Sequence, residues 1–333
     1  TIGRRQRQMC IRDSLFTRQM LLFGIKQFIC TNIDNYILDL SFIFNKVQLI
    51  FYIFSWIPKT LFIGLVDIYI YSGIFRFSKL YKISIVNLQI AYPDINNNNM
   101  QLLVRMSVRE SIISAYETIY TWGNSEFVSN KLIFKIENNF LIKNNFKKEQ
   151  GLICVAIHNR SVDMLLTWIN SQVPTVSLYK KIKNKTLEAF VKNKREINNS
   201  TSVETSIAGV RKIYKALKQK KVICFAADQV PKRGMGEHID FYKRKAYSTT
   251  LVQNLATKTK SPTIYFCMNS NINNFLYISI KQCNDDIYDD SKHLPLVNSD
   301  IEKMINKRPV DYSWEYKRFK RSLPINQNPY LGI

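Results

Sequence analysis

Glycine is scarce in this chain, 10 among 333 residues, where roughly 7% is usual. No G-x-x-x-x-G-K-[ST] loop and no G-x-G-x-x-G turn occurs. Walker-type and dinucleotide sites are thereby excluded, since both need glycine where the backbone wraps a phosphate. Cysteine is sparse too. The six thiols, at positions 10, 30, 154, 224, 267 and 283, form no C-x-x-C pair. Neither a zinc site nor a disulfide scaffold is expected, and a reducing compartment is. Only three histidines occur, His158, His238 and His293, so histidine chemistry has few possible seats. Acid is the last shortage: 25 Asp and Glu against 48 Lys and Arg leave a net charge of +23. Such an excess predicts an anionic partner: nucleic acid, acidic phospholipid, a phosphorylated substrate or an acidic carrier protein. Nucleic acid is the weakest of these, because no helix-turn-helix, zinc-finger or RNP pattern is visible and the lysines are spread rather than clustered.

What is present is a folded chain, 46% hydrophobic and 22% charged, long enough for one large catalytic domain with an appendage. Residues 1–14 are rich in arginine and free of lysine, unlike the Lys-, Asn- and Ile-rich remainder. They read as a non-native leader, with a genuine basic arm as the alternative. Residues 37–80 are the most apolar stretch. Within it, residues 47–66 carry Lys59 as their single charge, and as one helix would extend about 30 Å, the thickness of a bilayer core. The segment is expected to anchor the protein to a membrane, either as a true span or as a helix lying in the interface. For a span, Lys59, Arg76, Lys79 and Lys82 outweigh Arg18 and Lys26, which places the C-terminal part in the cytoplasm.

Apolar residues recur at helical spacing over residues 100–122. Beyond them, short β-rich runs alternate with helical patterns. Strands are expected at 151–158, 174–179 and 221–228, with a closing pair at 262–268 and 275–283. Helices are expected at 161–170, 186–195, 206–218 and 247–258. This alternation predicts an α/β fold, a central mixed sheet flanked by helices. Ligands in such sheets gather beyond the carboxyl ends of the strands, where His158, Tyr179 and Asp228 fall. Asp163 follows His158 by five positions. A strand-to-helix turn between them lets the carboxylate hold one imidazole nitrogen and leave the other as a general base. Taken alone, a His-x-x-x-x-Asp spacing is also common by chance.

That box at a strand-to-helix turn resembles the one in glycerolipid acyltransferases. Further stretches resemble the late acyltransferases of lipid A biosynthesis, the lauroyl and myristoyl transferase family. They are Asn87-Leu88 with Tyr92-Pro93-Asp94; Tyr179-Lys180 with Asn184, Leu187 and Arg195; and Lys215-Ala216-Leu217 leading to Val222 and Ala227-Asp228-Gln229. Phe241-Tyr242 with Ala246 and Thr249, and Trp314 with Arg318, Phe319 and Lys320, complete the set. The resemblance runs over about residues 47–323. The departures are Asp163 where that family usually has Glu, Lys180-Lys181 for Arg-Pro, Ala227 for proline, and Lys243 and Lys245 for Gly and Pro. Arg160 and Ser161 within the box are closer in wording to the phosphatidic-acid-forming acyltransferases.

The resemblance implies a catalytic domain over 81–323 that moves a fatty acyl chain from a thioester, on acyl carrier protein, to a hydroxyl of a lipid A precursor. It implies His158 as general base with Asp163 holding its imidazole, and no metal or organic cofactor, since a thioester is already activated. Arg195 is expected either to stabilise the oxyanion or to pair with Asp228 and order the pocket, with Tyr179 and Asn184 nearby. The anionic lipid acceptor and the acidic carrier both suit the charge, and the inner membrane, on its cytoplasmic side, suits the chemistry. Two alternatives stand beside this reading: an acyltransferase of the same fold acting on lysophosphatidic acid or another glycolipid, and a non-enzymatic basic membrane-binding protein. Lys243, Arg244 and Lys245, with other cations in loops that follow strands, are expected to rim the pocket mouth.

Overall fold

The computed structural model describes residues 42–324 and 328–333, with side chains from residue 48 onward. The leader expected at 1–14 lies outside the described residues. The chain divides into a short unit, Thr1–Leu49, and a large one, Ile50–Ile333, which holds the sheet and the site.

The apolar run does not form one rod. Helix α1 (Phe42–Ser55) ends just before Pro58, and α2 starts at Lys59 and runs to Tyr71. Proline holds the preceding residue out of the helical region and cannot continue the hydrogen-bond ladder, so the two helical stretches meet at 89°. Among the described residues no single helix is long and apolar enough to cross a membrane, although the bent pair passes by length and composition. The expectation of a straight 20-residue span is corrected accordingly. Helix α3 (Lys79–Ala91) begins at the Ser78 hydroxyl, which accepts from the Tyr81 N–H. Helix α4 (Asn97–Gly123) begins at Asn96, whose side chain accepts from Asn99; both are ordinary N-caps. At 27 residues, α4 extends about 40 Å.

Next come α5 (Glu126–Asn130), β1 (Ile133–Glu137), α6 (Phe140–Phe146), β2 (Leu152–Ala156), α7 (Val162–Gln172), β3 (Thr175–Tyr179), α8 (Lys185–Arg195), β4 (Thr201–Glu204), α9 (Ile207–Lys218) and β5 (Val222–Ala226). A hairpin, β6 (Gly236–Phe241) and β7 (Arg244–Thr249), precedes α10 (Leu251–Thr259), β8 (Thr263–Ser270), β9 (Leu276–Gln282) and α11 (His293–Ile305). The main sheet has the order β1-β9-β8-β2-β5-β3-β4. Strands β8, β2, β5, β3 and β4 are parallel neighbours, β9 runs antiparallel to β8, and β1 runs parallel to β9.

Successive side chains of a strand point to opposite faces, and the core divides on that rule. Ile153, Val155, Ile223, Phe225, Tyr265 and Cys267 pack on one face with α3, α4, α9, α10 and α11. Leu152, Cys154, Val222, Cys224, Ile264 and Phe266 pack on the other against Met164, Leu165, Trp168 and Ile169 of α7. Burial on both faces accounts for the near-continuous apolar strand runs. It also leaves the carboxyl ends of β2, β5 and β3 as the place where polar side chains gather.

The hairpin carries no turn signal in the sequence, and its last residues look like the start of a helix at 247. Tyr242 and Lys243 both take positive φ, 49° and 57°, the two-residue turn that asparagine and glycine ordinarily signal. Here tertiary contacts hold it instead. The Tyr242 N–H donates to Glu302 (2.9 Å), and its ring packs on Tyr92 and Trp314.

Candidate active site

The register of β2 and β5 builds the centre of the site. Ala156 lies opposite Ala226, so the residues two positions further along each strand, His158 and Asp228, emerge side by side. The imidazole Nδ1 lies 2.7 Å from Asp228 Oδ1, and the His158 backbone N–H donates to Asp228 Oδ2 at 3.2 Å. Asp228 is fully buried, whereas the His158 side chain keeps 26% of its surface exposed. Burial alone lowers the histidine pKa, but the Asp228 carboxylate outweighs it and holds the imidazole above its ordinary value. Burial likewise works to raise the Asp228 carboxyl, and the imidazole and backbone N–H groups overcome it, leaving that carboxyl below its usual range. The partner of His158 is therefore Asp228.

Asp163 has a different partner. Ser161 caps α7, its hydroxyl accepting from Met164 N–H and sharing a 2.8 Å hydrogen bond with Thr118. That places Asp163 in the first helical turn, facing the end of α8. There Arg195 Nε reaches Asp163 Oδ1 at 2.6 Å and Nη2 reaches Oδ2 at 3.1 Å. Both groups lie at helix ends that favour their charge. Burial lowers the Arg195 pKa and Asp163 more than restores it. The expected Asp163–His158 pairing is thus not seen, and Arg195, expected either as an oxyanion donor or as the partner of Asp228, is paired with Asp163. The reason is strand order: β5 lies next to β2, and the α7 turn carries Asp163 toward α8 instead.

Tyr179 lies under the Arg195 guanidinium, 5.8 Å from ring centroid to carbon, and its hydroxyl donates to Glu188. Burial and that carboxylate push its pKa up to about 12. Asn184 is a helix cap, accepting from Leu187 N–H at 3.0 Å to start α8. His158, Asp163, Tyr179 and Arg195 all line one cavity of about 700 Å³; Asn184 does not. Leu166, Ile169, Leu178, Phe225 and Leu251 supply its apolar wall, and Lys180, Lys232, Lys320 and Arg321 its cations.

Lys243, Arg244 and Lys245 are not on this rim. Gly236 and Thr249, at the open end of the hairpin, line the cavity, while Lys243 sits in the turn at the other end. Six residues per strand separate the two ends by about 17 Å. Lys245 pairs with Asp240, and Arg244 Nε donates to Ser322. Replacing Lys243 and Lys245 with serine is accordingly expected to leave catalytic efficiency within about twofold of wild type, as for ordinary surface changes. Replacing Lys180 and Lys232 with serine should lower it on the order of tenfold at low salt, an effect that shrinks as salt screens the rim. Steady-state kinetics over a salt series checks both.

The sequence does not show what Arg160, Asn87, Trp314 and Arg318 do, and it leaves Glu110, Glu117, Asp311 and Glu315 unmarked. Arg160 takes positive φ, 54°, and its buried guanidinium meets Glu110, Glu117 and Asp311. Its backbone N–H donates to the Asp311 carbonyl, and the Ser313 N–H donates to the His158 carbonyl, so the C-terminal segment braces the histidine loop. Asn87 Nδ2 in turn donates to the Trp314 and Tyr316 carbonyls, and Arg318 binds the Tyr247 carbonyl and Ser248 Oγ. The Asn87, Trp314 and Arg318 motif residues are thus scaffold. Glu315 hydrogen-bonds Ser111 at 2.7 Å; burial pushes its carboxyl up, and its charge is felt by His158. For the unmarked acids the available signal is Glu110 and Glu117, two turns apart on a long helix with apolar spacing.

A parallel-dominated α/β sheet with an imidazole–carboxylate pair at adjacent strand ends, beside a part-apolar cavity, is an arrangement suited to general-base chemistry on an apolar ligand. The chain belongs to the bacterial lipid A biosynthesis acyltransferase family, whose model matches residues 69–321. It is similar to the lipid A biosynthesis acyltransferase of Haemophilus influenzae, 24% identical over 250 residues that cover 74% of this chain and 78% of the relative.

Proposed function

We propose that this chain transfers a fatty acyl group from a thioester on acyl carrier protein to a hydroxyl of a lipid A precursor at the cytoplasmic face of the inner membrane. The observation that carries the reading is the His158–Asp228 pair opening into the 700 Å³ cavity, within the family-matched residues. Asp228 keeps the proton on Nδ1, which leaves Nε2 free to take the proton of the acceptor hydroxyl as its oxygen attacks the thioester carbonyl. Collapse of the tetrahedral intermediate breaks the C–S bond. The imidazolium returns its proton to the departing sulfur, giving an ester and a free thiol.

The oxyanion needs preorganised donors. Arg195 is already committed to Asp163 by two hydrogen bonds. The first-turn amides of α7, Val162 and Asp163, precede its first backbone hydrogen bond, from Leu165 to Ser161, and are the better candidates. The apolar cavity wall suits the acyl chain, and the cationic rim suits an acidic carrier and an anionic acceptor.

Membrane attachment rests on the apolar surface that α1, α2 and the following turn expose. Trp56 is 70% exposed, Ile68 68%, Tyr71 86% and Phe77 83%, beside Ile53, Leu61 and Leu65. So many large apolar side chains exposed within one stretch of chain favour a membrane contact. The bent helix pair fits an interfacial seat with these side chains in the acyl region.

Lipid mass spectrometry of a strain lacking the gene tests the reading. Lipid A short of one acyl chain is expected, restored by the wild-type chain and not by His158→Ala. Unchanged lipid A with altered phosphatidic acid would move the acceptor to lysophosphatidic acid and overturn the proposal.

A further inference from the structure

A second cavity, of about 400 Å³, lies against the β6–β7 hairpin and shares Gly234, Lys320 and Arg321 with the first. Arg233, His238 and Tyr247 line the second alone. His238 and Tyr247 are cross-strand partners, so their rings project from the same face, 5.2 Å apart. Arg321 Nη1 is fixed by the Pro231 carbonyl at 2.8 Å, Lys320 Nζ by the Tyr316 hydroxyl at 3.2 Å, and the Tyr247 hydroxyl accepts from Gly234 N–H at 3.0 Å. Ser322 and Asn328 add a hydroxyl and an amide, and among the described residues no carboxylate lines the cavity. Two arginines, a lysine and a histidine therefore line one cavity whose described lining holds no carboxylate.

We infer that this second cavity binds a phosphate monoester carried by the lipid acceptor whose hydroxyl reacts at His158; the inference rests on the acyl-transfer reading above. A phosphate monoester brings close to two negative charges and three acceptor oxygens, which match planar guanidinium forks better than any neutral group does. A phosphodiester, with one charge and two free oxygens, would leave donors unused. The shared lining lets one headgroup place its phosphate behind the hairpin and its hydroxyl in the reactive cavity.

The test uses the full chain in detergent and the variant Arg233→Ser/His238→Gln, whose residues do not line the reactive cavity. Calorimetry with inorganic phosphate, and with a hexosamine phosphate against the unphosphorylated hexosamine, reads the site directly. The phosphorylated ligands should bind the wild type and lose about tenfold or more in affinity on the double variant, as expected for lost charge-assisted hydrogen bonds. Kinetics then locates the source. The variant should raise KM for a phosphorylated lipid acceptor on the order of tenfold, with kcat nearly unchanged, and shift KM for the dephosphorylated acceptor by less than about twofold. Equal phosphate binding by both proteins overturns the site, and equal KM shifts for both acceptors overturn its link to the acceptor. Loss of phosphate binding in the variant, beside a wild type that acylates no acceptor, keeps the anion site and removes the acyl-transfer reading instead.

Discussion

His158→Ala should lower acyl transfer by about 10²–10⁴-fold, the usual contribution of a positioned general base, with the fold intact because the ring stands partly exposed at the cavity wall. Asp228→Asn adds a diagnostic. Asp228 holds the imidazole pKa above its ordinary value, and in the proposed mechanism the base form is the one that works. Activity therefore falls as pH drops through that raised pKa. Removing the carboxylate leaves burial, which lowers the pKa, so the acid limb of kcat/KM should move to lower pH while kcat falls. Asp163→Asn, acting on Arg195 and only weakly on His158, should move the limb much less. A pH profile in which Asp163→Asn makes the larger shift would restore the pairing that the His-x-x-x-x-Asp spacing alone suggests.

Arg160→Met is expected to destabilise the protein by about 3–5 kcal/mol, the cost of removing one partner from a buried ion cluster. Glu110, Glu117 and Asp311 all face this guanidinium, and all are within a few per cent of full burial. Lys59 at 3.0 Å from Glu117, Arg109 at 2.7 Å from Glu110, and Arg308 at 3.0 Å from Asp311 soften the loss without replacing the central charge. Burial already pushes the Asp311 carboxyl up. Adding Glu110→Gln to Arg160→Met should recover part of the stability, because one orphaned charge is gone. Urea denaturation of the three proteins in detergent checks this, and a double variant less stable than Arg160→Met would contradict it.

The core strands are legible because a strand buried on both faces is a short, bounded apolar run, as at Leu152–Ala156 and Val222–Ala226. Helix α4 is legible from its spacing. What the sequence does not carry is which strands are neighbours. β5 inserts between β2 and β3, and that insertion alone brings Asp228 to His158; by spacing, Asp163 is the nearer acid. The hairpin is hidden because Tyr242 and Lys243 make its turn without asparagine or glycine, held by contacts of Tyr242 with Glu302 and Trp314, 60 and 72 residues away. With the hairpin hidden, Lys243 and its neighbours read as loop residues after a strand at the pocket mouth, whereas they sit at the far end of the ribbon. Pro58 is in plain view, and its effect on the apolar run is the ordinary one for proline inside a helix.

The proposed transfer of an acyl group from a thioester to a lipid A precursor at the His158–Asp228 pair is open to direct assay. Its most direct measurement incubates the purified chain with acyl carrier protein loaded with a labelled fatty acid and a lipid A precursor lacking that chain, and reads the lipid by mass spectrometry. A product heavier by one ester-linked acyl group is expected, with equimolar free carrier thiol, and none of that product with His158→Ala. Product formed equally by His158→Ala, or thiol released with no ester formed on the precursor, would contradict the proposal.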